Sequence, residues 1–195
     1  MNYLAHIYLS GNDREVQLGN FIADSVKGKQ LERYEIGIQK GIRMHRAIDY
    51  FTDTHPLVKK GGARLFPTFR HYHLVLMDMF YDHFLAKNWE KYSDVPLPIY
   101  AQNFYRFLEI RKYDLPLRNQ KSLPYLIEEN WLVKYAELDG LANILRQMTH
   151  RIQYRVELWK GVDFLVQFYA EYENEFHAFF EDLQQYVREN PDARW

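Results

Sequence analysis

The run Gly41-Ile-Arg-Met-His-Arg-Ala-Ile-Asp-Tyr-Phe-Thr-Asp53 has no proline and many apolar residues. It is predicted to be helical. Positions four apart on a helix share nearly one face. His45, Asp49 and Asp53 therefore form a stripe, with Arg46 beside it. A second predicted helix, Met77-Asp-Met-Phe-Tyr-Asp-His-Phe-Leu85, puts Asp78 and Asp82 on one face, with His83 adjoining. Two such acid-bearing and otherwise apolar helices, facing each other, make a cation site. The competing account has these acids solvated or paired with arginines, and spacing alone does not separate the two.

Composition narrows the chemistry. A length of 195 residues is enough for one domain, 1–195, with a sizeable core. The absence of cysteine rules out disulfides and thiolate sites. Any metal is then held by imidazole, carboxylate and water, which favours Mg²⁺, Mn²⁺, Fe or Zn²⁺. No apolar run approaches the roughly 18 residues of a membrane span. The start, Met-Asn-Tyr-Leu-Ala-His, lacks the basic and long apolar parts of a signal peptide. A cytoplasmic protein is expected. The net charge of −1 is unevenly spread. Between Lys27 and Arg70 ten Lys and Arg face four Asp and Glu, a formal +6, so the remainder carries −7. A basic region around the candidate site suits an anionic substrate or an acidic partner. Nucleic acid is not expected, because no binding motif accompanies the charge.

Along the chain, residues 1–10 read as either strand or helix, with His6 among apolar neighbours as a core histidine or a ligand. Helix is predicted over 15–28, with Asp24 in its interior, where Asp is disfavoured without a partner. Gly37 and Gly41 permit close approach of another backbone to the central helix, which must end near Thr54 because Pro56 follows. Residues 57–73 read as a helix with a weak point at Gly61-Gly62, then a loop. Further helices are expected over 74–92, 99–113, 122–138, 140–156 and 161–189, with a loop at 114–119 and a frayed tail from 190. The aromatic stripe of the last helix reads as core packing or as a groove for a lipid-like or pantetheine-like arm. The fold class is thus all-α, a single-domain helical bundle.

Five ordered motifs carry a resemblance. They are Asn2-Tyr-Leu-Ala-His6, Leu18-Gly-Asn-Phe-Ile-Ala-Asp24, Gly41 to Asp49, Phe51-Thr-Asp53, and Asp78-Met-Phe-Tyr-Asp-His-Phe-Leu85. With Trp131-Leu-Val-Lys-Tyr135, Leu145-Arg-Gln-Met148 and Arg151, the chain resembles the acyl-carrier-protein phosphodiesterase family. It departs at Tyr8, where the family pattern has a second histidine. The resemblance implies a divergent HD-type phosphohydrolase that uses Mn²⁺ or Mg²⁺, with Fe²⁺ or Zn²⁺ as alternatives. It implies cleavage of the phosphodiester between 4'-phosphopantetheine and a serine of holo-acyl carrier protein, an acidic partner. The expected metal ligands come from His6, Asp24, His45, Asp49, Asp78 and Asp82. Arg46 is expected to hold the non-bridging oxygens, His83 to protonate the leaving alkoxide, and Asp53 to orient His45 or Arg46. The alternatives are a phosphohydrolase for nucleotides or other small phosphodiesters, and a non-catalytic carrier-binding module.

Overall fold

The computed structural model describes residues 2–151 and 156–190; the Arg151 side chain and the tail from 191 lie outside that description. The chain is all-α, built from helices joined by short 3-10 turns, with no strand among the described residues. None of the described helices is long and apolar enough to cross a membrane.

The first ten residues resolve to helix α1, Tyr3–Leu9. The opening amides of a helix have no partner within it and need outside acceptors. Here Asn2 accepts from the Tyr3 amide at 2.8 Å. Asp82 accepts from the Leu4 and Ala5 amides at 2.8 and 3.2 Å. Asp82 belongs to α5, His73–Lys87, so one buried carboxylate fastens α1 to the middle of the molecule. Residues 76 and 77 and the run 79–86 of α5 are buried, as befits a helix covered on all sides.

Helix α2, Arg14–Ile22, is shorter than predicted. It tightens into a 3-10 turn at Ala23–Ser25, so Asp24 lies in a turn rather than in a helix interior. This removes the propensity cost expected for a mid-helix Asp. Helix α3, Ile36–Thr54, ends as Pro56 requires, and that proline opens α4, Pro56–Phe69, at its first position. The Gly61-Gly62 weak point does not materialise; α4 runs through both glycines. There Met77 and His73 of α5 press so close that an added Cβ would lie 2.6 and 2.8 Å from them.

Then come α6, Leu97–Ile110; α7, Leu117–Glu128; α8, Trp131–Lys134; α9, Leu138–Arg151; α10, Gly161–Gln167; and α11, Tyr169–Glu189. The predicted 122–138 helix is two helices, broken where Asn130 takes a left-handed conformation (φ 48°), which Asn tolerates. The expected loop at 114–119 instead contains the first turn of α7. The predicted 161–189 helix breaks at Phe168, whose ψ of 35° interrupts it. Tyr172, Phe176, Phe179, Phe180 and Leu183 of α11 are fully buried, so the aromatic stripe is core and not a groove. Arg64 of α4 reaches Glu175 of α11 through two bonds of 2.8 and 2.6 Å and lies over the Tyr172 ring. This two-point ion pair ties the aromatic core to α4.

The tightest contact joins α2 to α3, backbone to backbone. A Cβ on Gly19 would sit 2.0 Å from the Ile38 carbonyl oxygen, and one on Gly41 would sit 2.1 Å from that of Val16. Only glycine lets the helices approach this closely. Gly41→Ala should therefore force α2 and α3 apart. The expected loss is about 3 kcal/mol, or roughly 10 °C in Tm. A calorimetric melt superimposable on that of the parent protein would refute the contact.

Candidate metal centre

The α2–α3 contact carries a consequence one residue further along α2. Asn20 follows Gly19, and its Oδ1 lies 3.1 Å from Nδ1 of His45, one helical turn beyond Gly41. Asn20 is itself fixed, because its Nδ2 donates to the His6 carbonyl and to Ser10 Oγ, both at 3.0 Å. Those partners leave Oδ1 facing the imidazole. An amide oxygen only accepts, so Nδ1 of His45 carries a proton, and Nε2 is the nitrogen left to hold a second proton or a cation. Nε2 lies 3.0 Å from Asp49 Oδ2 and 3.4 Å from Asp24 Oδ1. It is buried, and neither approach has the alignment of a hydrogen bond. A ring nitrogen directed among carboxylates, its far side anchored, has the arrangement of a metal-binding histidine.

His6 completes the group from α1. Its ring stacks on that of His45 with centroids 4.0 Å apart, and its Nε2 is 3.1 Å from Asp49 Oδ1. His6, His45 and Asp49 each offer one ligand atom, all within 4.8 Å of one another. Two imidazoles and a carboxylate, with Asp24 at the edge, are donors that suit a divalent cation of hard or borderline character.

The electrostatics show the same demand for positive charge. Burial alone would lower the His45 pKa, but Asp24 and Asp49 outweigh it and carry it up to about 9. Burial pushes Asp49 upward, yet the His45 imidazole beside it and its hydrogen bond with His6 hold the carboxyl well below the usual range. Asp24 is held down chiefly by His45. His6 goes the other way: burial first, then the neighbouring His45, lower it to about 4. One added positive charge is thus already accommodated between the carboxylates, where a proton or a cation is stabilised.

Not every expected residue gathers here. Asp78 is half-buried, and burial raises its pKa, with Asp49 and Asp53 adding to the rise. Asp53 is exposed, raised by partial burial and by Asp49. Both acids thus lie within the electrostatic reach of Asp49. Arg46 is exposed and donates to the Val26 carbonyl at 3.0 Å, beside the Asp24 turn. Asp82 has a different job: its oxygens take the α1 amides, and burial pushes its pKa up to about 7. His83 does too. It is buried, with Nδ1 2.8 Å from the Tyr135 carbonyl and Nε2 2.8 Å from the Tyr169 hydroxyl. Both ring nitrogens have protein partners, and burial lowers its pKa to about 4. Spacing suggested neither reassignment, because adjacent residues on a helix diverge by about 100°.

Asn20 and Ser10 carried no expectation. The signal for Asn20 was available: a polar, poorly helix-forming residue beside a glycine, between the apolar Leu18 and Phe21. If Asn20 positions His45, Asn20→Ala should weaken divalent-cation binding about 10- to 100-fold in calorimetric titration. An unchanged Kd would remove Asn20 from the site.

A family model described as "Acyl carrier protein phosphodiesterase" matches residues 1–183. A protein of that name from Photorhabdus laumondii is 33% identical over 92% of this chain and 91% of its own. Another, from Yersinia enterocolitica, is 35% identical over 92% of this chain and 94% of its own. A third, from Pectobacterium atrosepticum, is 32% identical over 96% of this chain and 98% of its own. No solved structure matches. Agreement along almost the whole of each sequence, at this identity, shows that the chain belongs to the acyl carrier protein phosphodiesterase family.

Proposed function

We propose that the protein hydrolyses the phosphodiester joining 4'-phosphopantetheine to a serine of holo-acyl carrier protein, releasing apo-carrier and 4'-phosphopantetheine. One observation carries the proposal: His45 Nε2, anchored through Asn20, sits among Asp49, Asp24 and His6 in a chain of this family. The cation would be Mn²⁺ or Mg²⁺, held by His6, His45 and Asp49, with Asp24 at the edge and Asp78 within electrostatic reach. When bound, it lowers the pKa of a water and polarises the phosphoryl oxygen.

The chain's own residues supply the rest. Asn20 holds a proton on His45 Nδ1, so that Nε2 is the nitrogen a cation would take in place of a proton. Asp24, on an exposed turn, is placed to accept a proton from the attacking water. Arg46, swung from the Val26 carbonyl, pairs with the non-bridging oxygens, which match its planar fork. Asp53, one turn along α3 from Asp49, adds negative charge beside the centre. The cytoplasm is the setting that suits an acyl-carrier substrate.

The acidic carrier docks on cationic side chains near the centre. Lys27, Lys29 and Arg33 are exposed on and beside the 3-10 turn Gly28–Arg33, and Arg43 is exposed on α3. The far part of the basic segment contributes less, because Lys60 and Arg64 pair with Glu175. Reversing Arg33 and Arg43 to Glu should raise KM several-fold and flatten its salt dependence while sparing kcat. Unaltered KM and salt dependence would place the carrier elsewhere.

The decisive assay is mass spectrometry of holo-carrier incubated with the protein and Mn²⁺, reading loss of the prosthetic group. Asp24→Ala and Asp78→Ala should each reduce turnover by about 100-fold or more while leaving helicity unchanged. An intact holo-carrier alongside cleavage of a nucleotide or another small phosphodiester would redirect the proposal to that substrate. Near-normal turnover in either variant would exclude that residue.

A further inference from the structure

Asp24 has a second surface. One side faces His45; the other lines a cavity of about 320 Å³ between α7 and the α1–α2 corner. Tyr3 and Phe21 form one wall, with their rings 5.3 Å apart. The opposite wall is one face of α7, where Arg118, Ser122 and Tyr125 recur at helical spacing. A substrate with its phosphorus at the metal centre has this cavity as its immediate neighbour.

We propose that this cavity receives the pantetheine arm, with Asn119 as its amide-recognition residue and Tyr125 as its cover; this rests on the function proposed above. Asn119 lines the cavity at only 6% exposure, and its Oδ1 has no hydrogen-bond partner among the described residues. Such an atom destabilises the protein until something donates to it. A carboxamide both donates and accepts, so its natural complement is another amide. Rotation about its terminal torsion, which is soft, turns Oδ1 toward the cavity. The pantetheine arm is a chain of methyl and methylene groups carrying two amides. Its hydrocarbon suits the Tyr3 and Phe21 wall, and one of its N–H groups suits Oδ1. Tyr125 stands 61% exposed at the cavity, a large ring that a bound arm would take out of water. Arg118 and Lys121, exposed on the same stretch of α7, favour the negative charge of the phosphate end.

The test uses Asn119→Ala and Tyr125→Ala, the second at an exposed position that leaves the fold undisturbed. Each is measured with holo-carrier for kcat/KM, with apo-carrier for Kd, and with free pantetheine as an inhibitor. Mn²⁺ affinity serves as the check on the centre. Each variant should lose roughly tenfold in kcat/KM and in pantetheine inhibition, with Mn²⁺ and apo-carrier binding unchanged. Wild-type kcat/KM in both variants would overturn the proposal. So would an equal loss of apo-carrier binding, which would make the cavity a reader of carrier protein. If the parent protein leaves holo-carrier intact, the proposed function fails instead; the pantetheine arm is then read by direct binding to the parent and to the two variants.

Discussion

The contact between Gly19 and Gly41 is the constraint from which the site follows. Two helices can lie backbone to backbone only where neither carries a side chain at the crossing. Gly19 meets the Ile38 carbonyl and Gly41 meets that of Val16, at distances no Cβ would survive. The residue after Gly19 is thereby brought to the residue one turn after Gly41, which makes the Asn20–His45 bond. A polar side chain buried at such a crossing has little freedom, so the imidazole it holds has little freedom either. The glycines carry no side chain of their own, yet they set where His45 Nε2 points.

Around that crossing the molecule separates two kinds of buried polarity. One kind is satisfied and inert. Asp82 takes the α1 amides, His83 bridges the Tyr135 carbonyl and the Tyr169 hydroxyl, and Glu175 is clamped by Arg64. These groups tie neighbouring helices to the aromatic core. A second kind lies where α1, α2 and α3 meet. There His6, His45, Asp24 and Asp49 sit closer than their mutual charges favour without a proton or cation among them. Low dielectric magnifies both effects, stabilising complete networks and penalising incomplete ones. The incomplete one is where a ligand gains most.

The helical periodicity of 41–53 was legible because α3 obeys it: His45 and Asp49 share a face, and Nε2 meets Oδ2 at 3.0 Å. Asp24 was legible as an acid in need of a partner, though not as a turn residue, since a 3-10 tightening leaves little mark on apolar spacing. Asp82 and His83 show the limit. They carry the right chemistry at the right spacing, but whether a side chain meets a cation, an amide or a tyrosine depends on which other helix lies against it.

Sequence alone determined the all-α class, the absence of thiolate chemistry, and the imidazole and carboxylate residues from which a cation site must be drawn. These depend on local periodicity and on side-chain type, which are properties of the chain itself. Tertiary structure alone decided which of those residues converge, that Asn20 governs His45, that the α11 aromatics are core, and that Asp24 also borders a cavity beside α7. Those are contacts between residues far apart in the chain. They are set by how closely helices approach, and at the central crossing that distance is set by two missing side chains.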